Sequence, residues 1–226
     1  MKAVILIGGL GTRLYPLTYK VPKALFPIVN ISFLTRLIDW LASNQVTQAI
    51  FAMSHLALPL IEFLEAYPAR ADIEITTRLE VKPLGSGGAL KNCIDFLDDD
   101  FLLLNGDILT DLDLRSLMKA HRERRALVTT SLGFVEDPTH YGILDISENG
   151  RVLDWQEKPS LQEAKSNWAN VGVWAMSPEI ADFIPDDKFV SLEKETFPLL
   201  LDIQAALYGY PFYGYWQDIG TIDKYI

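Results

Sequence analysis

Five apolar residues in a row, Ala3-Val4-Ile5-Leu6-Ile7, run without a polar interruption straight into Gly8-Gly9-Leu10-Gly11-Thr12-Arg13. A half-exposed strand would alternate apolar with polar residues. An unbroken apolar run ending in glycines is the pattern of a strand covered on both faces. The rest of the first half continues in kind. Phe33, Leu34, Leu37, Ile38 and Leu41 recur at helical spacing, with Asn30 or Ser32 available as a cap. Residues 46–53 read as a strand, 58–66 as a helix, 73–79 as a strand and 88–97 as a helix. A second fully apolar strand covers 101–104, and Leu114, Leu117, Met118 and His121 mark the next helix. Strand and helix alternating in this way predict an α/β fold: a Rossmann-like mixed, mostly parallel central sheet with helices on both faces.

The second half has another rhythm. Residues 127–134, 142–146, 151–156 and 171–176 read as strands with few helices between them. Ser177-Pro178-Glu179 has the form of a helix start, and Pro198 should kink or split the apolar segment around it. No repeat, low-complexity segment or linker interrupts the chain, so residues 1–226 are read as one domain.

Composition narrows the function. Hydrophobic residues make up 49% and charged residues 22% of the 226, which excludes a disordered or collagen-like chain. Lys and Arg number 20 against 30 Asp and Glu, a net charge of −10. Such a chain lacks the basic footprint for gripping a nucleic-acid backbone, so no nucleic-acid partner is expected. An anionic small substrate then requires a few cations gathered at one place. Cys93 is the single cysteine, which excludes an intrachain disulfide and a cysteine-based zinc site and fits a reducing compartment. The apolar run after Lys2 is too short for a signal peptide, and no apolar stretch reaches membrane-spanning length. The expectation is a soluble, cytoplasmic protein. Asp98-Asp99-Asp100 reads as a solvated turn rather than a metal site. His55, His121 and His140 are not spaced as a helical metal pair and are assigned ordinary surface or packing roles.

The glycine loop is neither a P-loop, which would end in Gly-Lys-Ser/Thr, nor a dinucleotide fingerprint, whose third glycine is missing. On its own it fits a phosphate cradle or a plain tight turn equally well. Arg13 and, further on, Pro22-Lys23 tip the balance by placing two cations beside it.

Residues 8–18 with Pro22-Lys23 resemble the signature of sugar-1-phosphate nucleotidyltransferases (NDP-sugar pyrophosphorylases). Pro83-Leu84-Gly85-Ser86-Gly87-Gly88-Ala89-Leu90, Asn105-Gly106-Asp107, Tyr141-Gly142, Glu157-Lys158-Pro159, Asn170-Val171-Gly172 and Trp216-Gln217-Asp218-Ile219-Gly220-Thr221 follow in family order. The resemblance implies one nucleotidyltransferase catalytic domain over 1–226. In the implied reaction an NTP and a sugar 1-phosphate give an NDP-sugar and pyrophosphate, with Mg2+ as cofactor. It further implies that Arg13, Lys23 and Lys158 are catalytic and that Asp107 and Asp218 hold the metal. Gly8, Gly9, Gly11, Thr12, Arg13, Lys23, Glu80, Gly85, Ser86, Gly88 and Asp107 would bind the nucleotide. Asn105, Tyr141, Gly142, Glu157, Lys158, Asn170 and Gly172 would bind the sugar phosphate.

The loop from Pro83 and the segment Ser191-Leu192-Glu193-Lys194 are most similar to guanylyltransferases acting on mannose 1-phosphate, which makes GTP and mannose 1-phosphate the first expectation. Heptose 1-phosphate with GTP and glucose 1-phosphate with UTP or dTTP are the alternatives. From another class, a catalytically inert nucleotide-sugar-binding regulator is the rival. Asp111-Leu112-Asp113 has the form of a glycosyltransferase metal motif but reads better as a loop and helix cap. Three residues depart from the family pattern: Ile7, Gly87 and Val171 each stand where alanine is usual, and Ile7 is expected to crowd the nucleotide loop. Many relatives continue into a C-terminal β-helix, which this sequence lacks. The resemblance is compatible with a homo-oligomer and calls for no membrane partner.

Overall fold

The computed structural model describes residues 1–67 and 73–226. Its strands are β1 (Lys2–Leu6), β2 (Pro27–Ile28), β3 (Ile31–Ser32), β4 (Gln48–Met53), β5 (Glu74–Leu79), β6 (Phe101–Asn105), β7 (Ile108–Thr110), β8 (Val128–Phe134), β9 (Gly142–Ile146), β10 (Val152–Glu157), β11 (Trp168–Met176), β12 (Leu207–Phe212) and β13 (Trp216–Asp218). The α-helices are α1 (Phe33–Ser43), α2 (Ala57–Ala66), α3 (Gly85–Lys91), α4 (Leu114–Arg124), α5 (Phe197–Asp202) and α6 (Ile222–Tyr225).

Nine strands form the central sheet, in the order β10-β9-β11-β6-β1-β4-β5, with β8 paired to β11 and β12 to β8. β1, β4, β5 and β6 are mutually parallel, and β12 is parallel to β8. β11 is antiparallel to β6, β8 and β9, and β10 is antiparallel to β9. Seven of the nine strands therefore point one way, and only β10 and β11 run against them. The fold is the α/β class expected, with a mixed, mostly parallel sheet.

Alternation within the strands builds two layers of core. Ala3, Ile5, Phe51, Leu102, Leu104, Val171 and Val173 face α1, α2 and α4, which supply Leu37, Leu41, Leu60, Leu117 and Met118. Val4, Ile50, Leu103, Trp174 and Met176 face the other side, where Leu90 of α3 and Phe197 and Leu200 of α5 pack. Helices thus cover both faces, and the apolar runs of β1 and β6 are explained by burial on each side. Ser32 caps α1 by accepting the Thr35 N–H at 3.1 Å. Asn44, just past its end, accepts the Leu114 N–H at 2.9 Å and ties α1 to the start of α4. Asp113 caps α4, which settles Asp111-Leu112-Asp113 as a loop and cap.

Some elements differ from expectation. The helix placed at 88–97 is α3 from Gly85, followed by a separate 3-10 turn over Ile94–Phe96. Ser177-Pro178 opens a 3-10 segment, Pro178–Phe183, and not an α-helix; the Ser177 hydroxyl meets Glu179 and caps no backbone N–H. The segment around Pro198 is split as expected, with a π turn over Leu192–Thr196 leading into α5 and Pro198 in its first turn. β11 is three residues longer at its start than the apolar pattern indicated. The Asp98–Asp100 turn is engaged by Lys2 on Asp98 at 2.6 Å and by Arg122 on Asp99 at 2.9 Å and Asp100 at 3.1 Å. Cys93 is fully buried, and burial pushes its thiol up to about 12, so it is no nucleophile at neutral pH. No helix among the described residues is long and apolar enough to cross a membrane.

Phe51, fully buried in the layer under α1 and α2, should be indispensable. Phe51→Ala is expected to lower unfolding free energy by about 3–5 kcal/mol, read from urea titration with an unchanged slope. A loss under about 1 kcal/mol would mean that this layer is loosely packed.

Candidate active site

The chain leaves β1 for β4 and β5 on one side, then returns to β6 on the other. Ligands of open α/β sheets bind where neighbouring connections diverge in this way, beyond the carboxyl ends of the strands. A cavity of about 620 Å3 lies there. Leu6, Ala52 and Ala89 of α3 line its base, so it opens on the α3 side of the sheet. The ends of β1, β4, β5 and β6 contribute Gly8 and Gly9, Ser54 and His55, Glu80 to Ser86, and Asn105 and Asp107 respectively.

Gly8 is pinned to β4, since its carbonyl accepts from Ser54 Oγ at 2.6 Å and a methyl group on it would lie 2.7 Å from that oxygen. Gly9 has open space where a side chain would be, so its backbone is bare to the cavity. Gly11 takes the left-handed conformation (φ +61°) at the entry to a 3-10 turn over Thr12–Leu14, and its carbonyl accepts from Thr18 Oγ1. Gly11, Thr12 and Arg13 lie beyond the cavity wall. The Arg13 guanidinium instead packs on Gly220, where a methyl group would stand 2.8 Å from it.

The second loop is shaped by one carboxylate. Glu80 Oε2 accepts the Leu84 N–H at 3.1 Å, bending 80–84 over the cavity and leaving its other oxygen unengaged by that bond. Burial raises the Glu80 carboxyl above its ordinary value, with the Leu84 N–H pulling the other way. The glycines of this loop serve the chain itself. A methyl on Gly85 (φ +72°) would meet Val190 O at 2.5 Å, and one on Gly88 would meet Lys188 O at 2.5 Å. Gly88, expected at the nucleotide, is buried inside α3 against Leu84 and the Lys188 backbone. Ser86 lines the cavity but is also engaged, donating to Glu193 at 2.8 Å and accepting from the Leu192 N–H at 2.9 Å.

The charged groups meet at the far end. Lys23 and Asp107 form a short ion pair, with side chains 17% and 14% exposed. β13 pairs with β7 so that Asp218 faces Ile108, and the Ile219 N–H donates to Asp107 O at 3.0 Å. This ladder sets the two aspartates one residue apart across adjacent strands. Asp218 Oδ1 accepts the Gly220 N–H at 2.6 Å, and Oδ2 lies 3.7 Å from Lys224 Nζ. No cluster of three or more His, Cys, Asp or Glu side chains exists among the described residues. Two carboxylates without further protein ligands suit a hard, hydrated cation whose remaining partners are substrate phosphates, not an all-protein cage.

The residues expected at the sugar form a contiguous wall. Gly142 pairs with Glu157, whose Oε2 would lie 3.1 Å from a methyl on that glycine. The Lys158 N–H donates to Tyr141 O at 3.0 Å, and Lys158 Nζ lies 3.8 Å from Glu157 with its side chain 60% exposed. Asn170 Oδ1 accepts from Thr130 Oγ1 and the Gly172 N–H, each at 3.0 Å, which holds the bulge where β11 shifts register. Gly172 (φ +84°) sits against Asn105, 2.7 Å from where its methyl would be, and so joins this wall to the cavity. The Tyr141 ring meets Trp216 of β13 edge-on at 5.3 Å.

Sequence reasoning missed Ser54, His55, Lys82 and Phe189, all lining the cavity, and Lys224 beside Asp218. Ser54 and His55 follow a strand end, which was the available signal; Lys82, Phe189 and Lys224 stand in no motif that names them.

Comparison with known proteins places this geometry. The nucleotidyl transferase family profile matches residues 2–226. A UTP–glucose-1-phosphate uridylyltransferase of Synechocystis sp. is 35% identical over 100% of this chain and 61% of its own length. A mannose-1-phosphate guanylyltransferase of Mycobacterium tuberculosis is 36% identical over 99% of this chain and 62% of its own. The chain therefore spans under two-thirds of these relatives. The crystal structure of HddC from Yersinia pseudotuberculosis complexed with GMP-PN superposes with a TM-score of 0.83 at 28% identity, covering 99% of this chain and 96% of that one.

A raised Glu80 pKa carries a sign. Folding favours the protonated carboxyl, so the ionised form costs stability, and that cost grows as pH rises from the ordinary carboxylate range through the folded value. Glu80→Gln, which keeps an acceptor for Leu84, should gain stability relative to the parent over that window and hold the gain at neutral pH. Urea midpoints of both proteins across the window test this; a gap that is constant with pH would remove Glu80 as a group perturbed by folding.

Proposed function

The chain belongs to the nucleotidyl transferase family, and we propose that it transfers a nucleoside monophosphate from an NTP, GTP first, to a sugar 1-phosphate, mannose 1-phosphate first. An acceptor phosphate oxygen attacks the α-phosphorus, the bond from that phosphorus to the bridging β-phosphate oxygen breaks, and pyrophosphate leaves. The carrying observation is one connected site: a cavity of about 620 Å3 that ends at the Lys23–Asp107 pair and adjoins Asp218, Arg13 and the Tyr141 wall.

Such chemistry needs alignment and charge neutralisation more than covalent help. The base would lie under the 80–86 loop, where Glu80 has an oxygen to accept a base N–H. The phosphates would run along Gly8 and Gly9 toward Lys23 and Arg13, whose positive charges offset that developing on the leaving pyrophosphate. Asp107 and Asp218 would hold Mg2+, which when bound neutralises phosphate charge. Tyr141, Gly142, Glu157, Asn170 and Gly172 would orient the sugar, and Lys158 would reduce repulsion between acceptor and triphosphate. Glucose 1-phosphate with UTP is a second reading, supported by the Synechocystis relative at 35% identity against 36% for the mycobacterial one.

Pyrophosphate release from four NTPs crossed with mannose, glucose and heptose 1-phosphates should be greatest with GTP and mannose 1-phosphate. Preference for UTP or dTTP would overturn the base while keeping the reaction, and silence from every pair would favour an inert binder. In the active pair, Asp107→Asn should lower turnover by at least about 100-fold. Normal magnesium-dependent turnover would take Asp107 out of the reaction.

A further inference from the structure

Helix α6 delivers a side chain to the site that neither the loops nor the strand ends supply. Lys224 Nζ lies 3.7 Å from Asp218 Oδ2, donates to Tyr141 Oη at 3.3 Å and stands 4.8 Å from the centre of the Tyr141 ring. Its side chain is 27% exposed, so the ammonium is held between these groups and is not a freely solvated surface charge. The helix is itself fixed. Tyr225 Oη donates to Pro27 O at 2.8 Å, and its ring lies 5.4 Å from Phe26, next to the turn that presents Lys23.

The placement is particular. Each aspartate of the site faces a lysine, Asp107 with Lys23 and Asp218 with Lys224. Tyr141 is held at both ends, since the Lys158 backbone N–H bonds its carbonyl and the Lys224 ammonium covers its ring. An ammonium carries three donors and tolerates reorientation. With one donor on Tyr141 and its charge turned toward Asp218, Lys224 retains an N–H for an oxyanion arriving along the Tyr141 wall.

We propose that Lys224 binds the phosphate of the acceptor sugar 1-phosphate, acting at that subsite and not at the nucleotide. This rests on the reaction proposed above. Lys23 belongs to the nucleotide end of the site, and Lys224 is its counterpart at the acceptor end, offsetting the acceptor's charge as it meets the triphosphate.

Steady-state pyrophosphate release, with each substrate varied separately in the pair the wild type uses best, tests the assignment on the intact chain. Lys224→Met should raise KM for the sugar 1-phosphate about 10- to 100-fold, the range for one charge-assisted hydrogen bond, and leave KM for the NTP within about two-fold. Lys224→Arg should recover most of that affinity. Unchanged KM values, or both rising together, would overturn it. If Lys224→Met loses its cooperative thermal transition, Lys224→Gln, which keeps a donor for Tyr141, takes its place with the same expected split. A wild type silent with every acceptor would sink the proposed reaction and this role with it. An active wild type with an indifferent Lys224 would sink this role alone.

Discussion

The Lys23–Asp107 pair is the contact on which the site's geometry depends. It joins residues 84 apart in sequence, drawing the excursion after β1 back onto the end of β6. Both side chains are largely withdrawn from solvent, so removing either would leave an uncompensated charge. Such losses reach about 3–5 kcal/mol for fully buried pairs and less for a pair like this one. The pair does not act alone. The Ile219 N–H on Asp107 O ties the β13 segment to the same point, and Arg13 closes over Gly220. Glycine loop, strand end and C-terminal segment are thereby fixed around one carboxylate.

That concentration of cations matters because the chain carries a net charge of −10. Long-range attraction of an anionic substrate to such a surface is poor, and the Debye length of about 8 Å at physiological salt limits the repulsion to near contacts. What counts is the field inside the crevice. Lys23 and Lys82 line it, Arg13, Lys158 and Lys224 stand around it, and the fold alone brings these five together from separate segments. Elsewhere cations are consumed locally, as Lys2 and Arg122 are by the Asp98–Asp100 turn.

Much of this was legible from sequence, for reasons that differ by element. β1, β4, β6 and the α1 helix announce themselves because burial on two faces, or on one helical stripe, leaves a local pattern. β11 was only half seen. Its first residues, Trp168 to Asn170, look irregular because the register shift at Gly172 breaks the alternation, and only pairing with β8 and β9 makes them strand. The glycines of the 85–88 loop misled in a different way. A glycine signals close approach without naming what approaches, and within the chain what approaches Gly85 and Gly88 is the carbonyls of Val190 and Lys188, a hundred residues on. Lys224 left no signal, because nothing local distinguishes a lysine that faces Asp218 from one that faces water.

Ile7 shows where sequence reasoning stops short even when the relevant rule is known. As a bulky residue beside the paired glycines it was expected to crowd the nucleotide loop. Successive strand residues point to opposite faces, so Leu6 and Ile7 cannot both line the cavity. Leu6 does, while Ile7 is 5% exposed in the layer packed by α1, α2 and α4. Its extra carbons fill the space beside Gly106, where a side chain would overlap Ile7 Cγ2. The absent Cβ at 106 lets the Gly106 N–H reach Leu6 O at 2.9 Å, and the Ile7 N–H bonds Ala52 O at 3.0 Å. Bulk at 7 and its absence at 106 are thus one packing solution, and it holds the carboxyl ends of β4, β1 and β6 level so that Asp107 emerges beside the glycine loop.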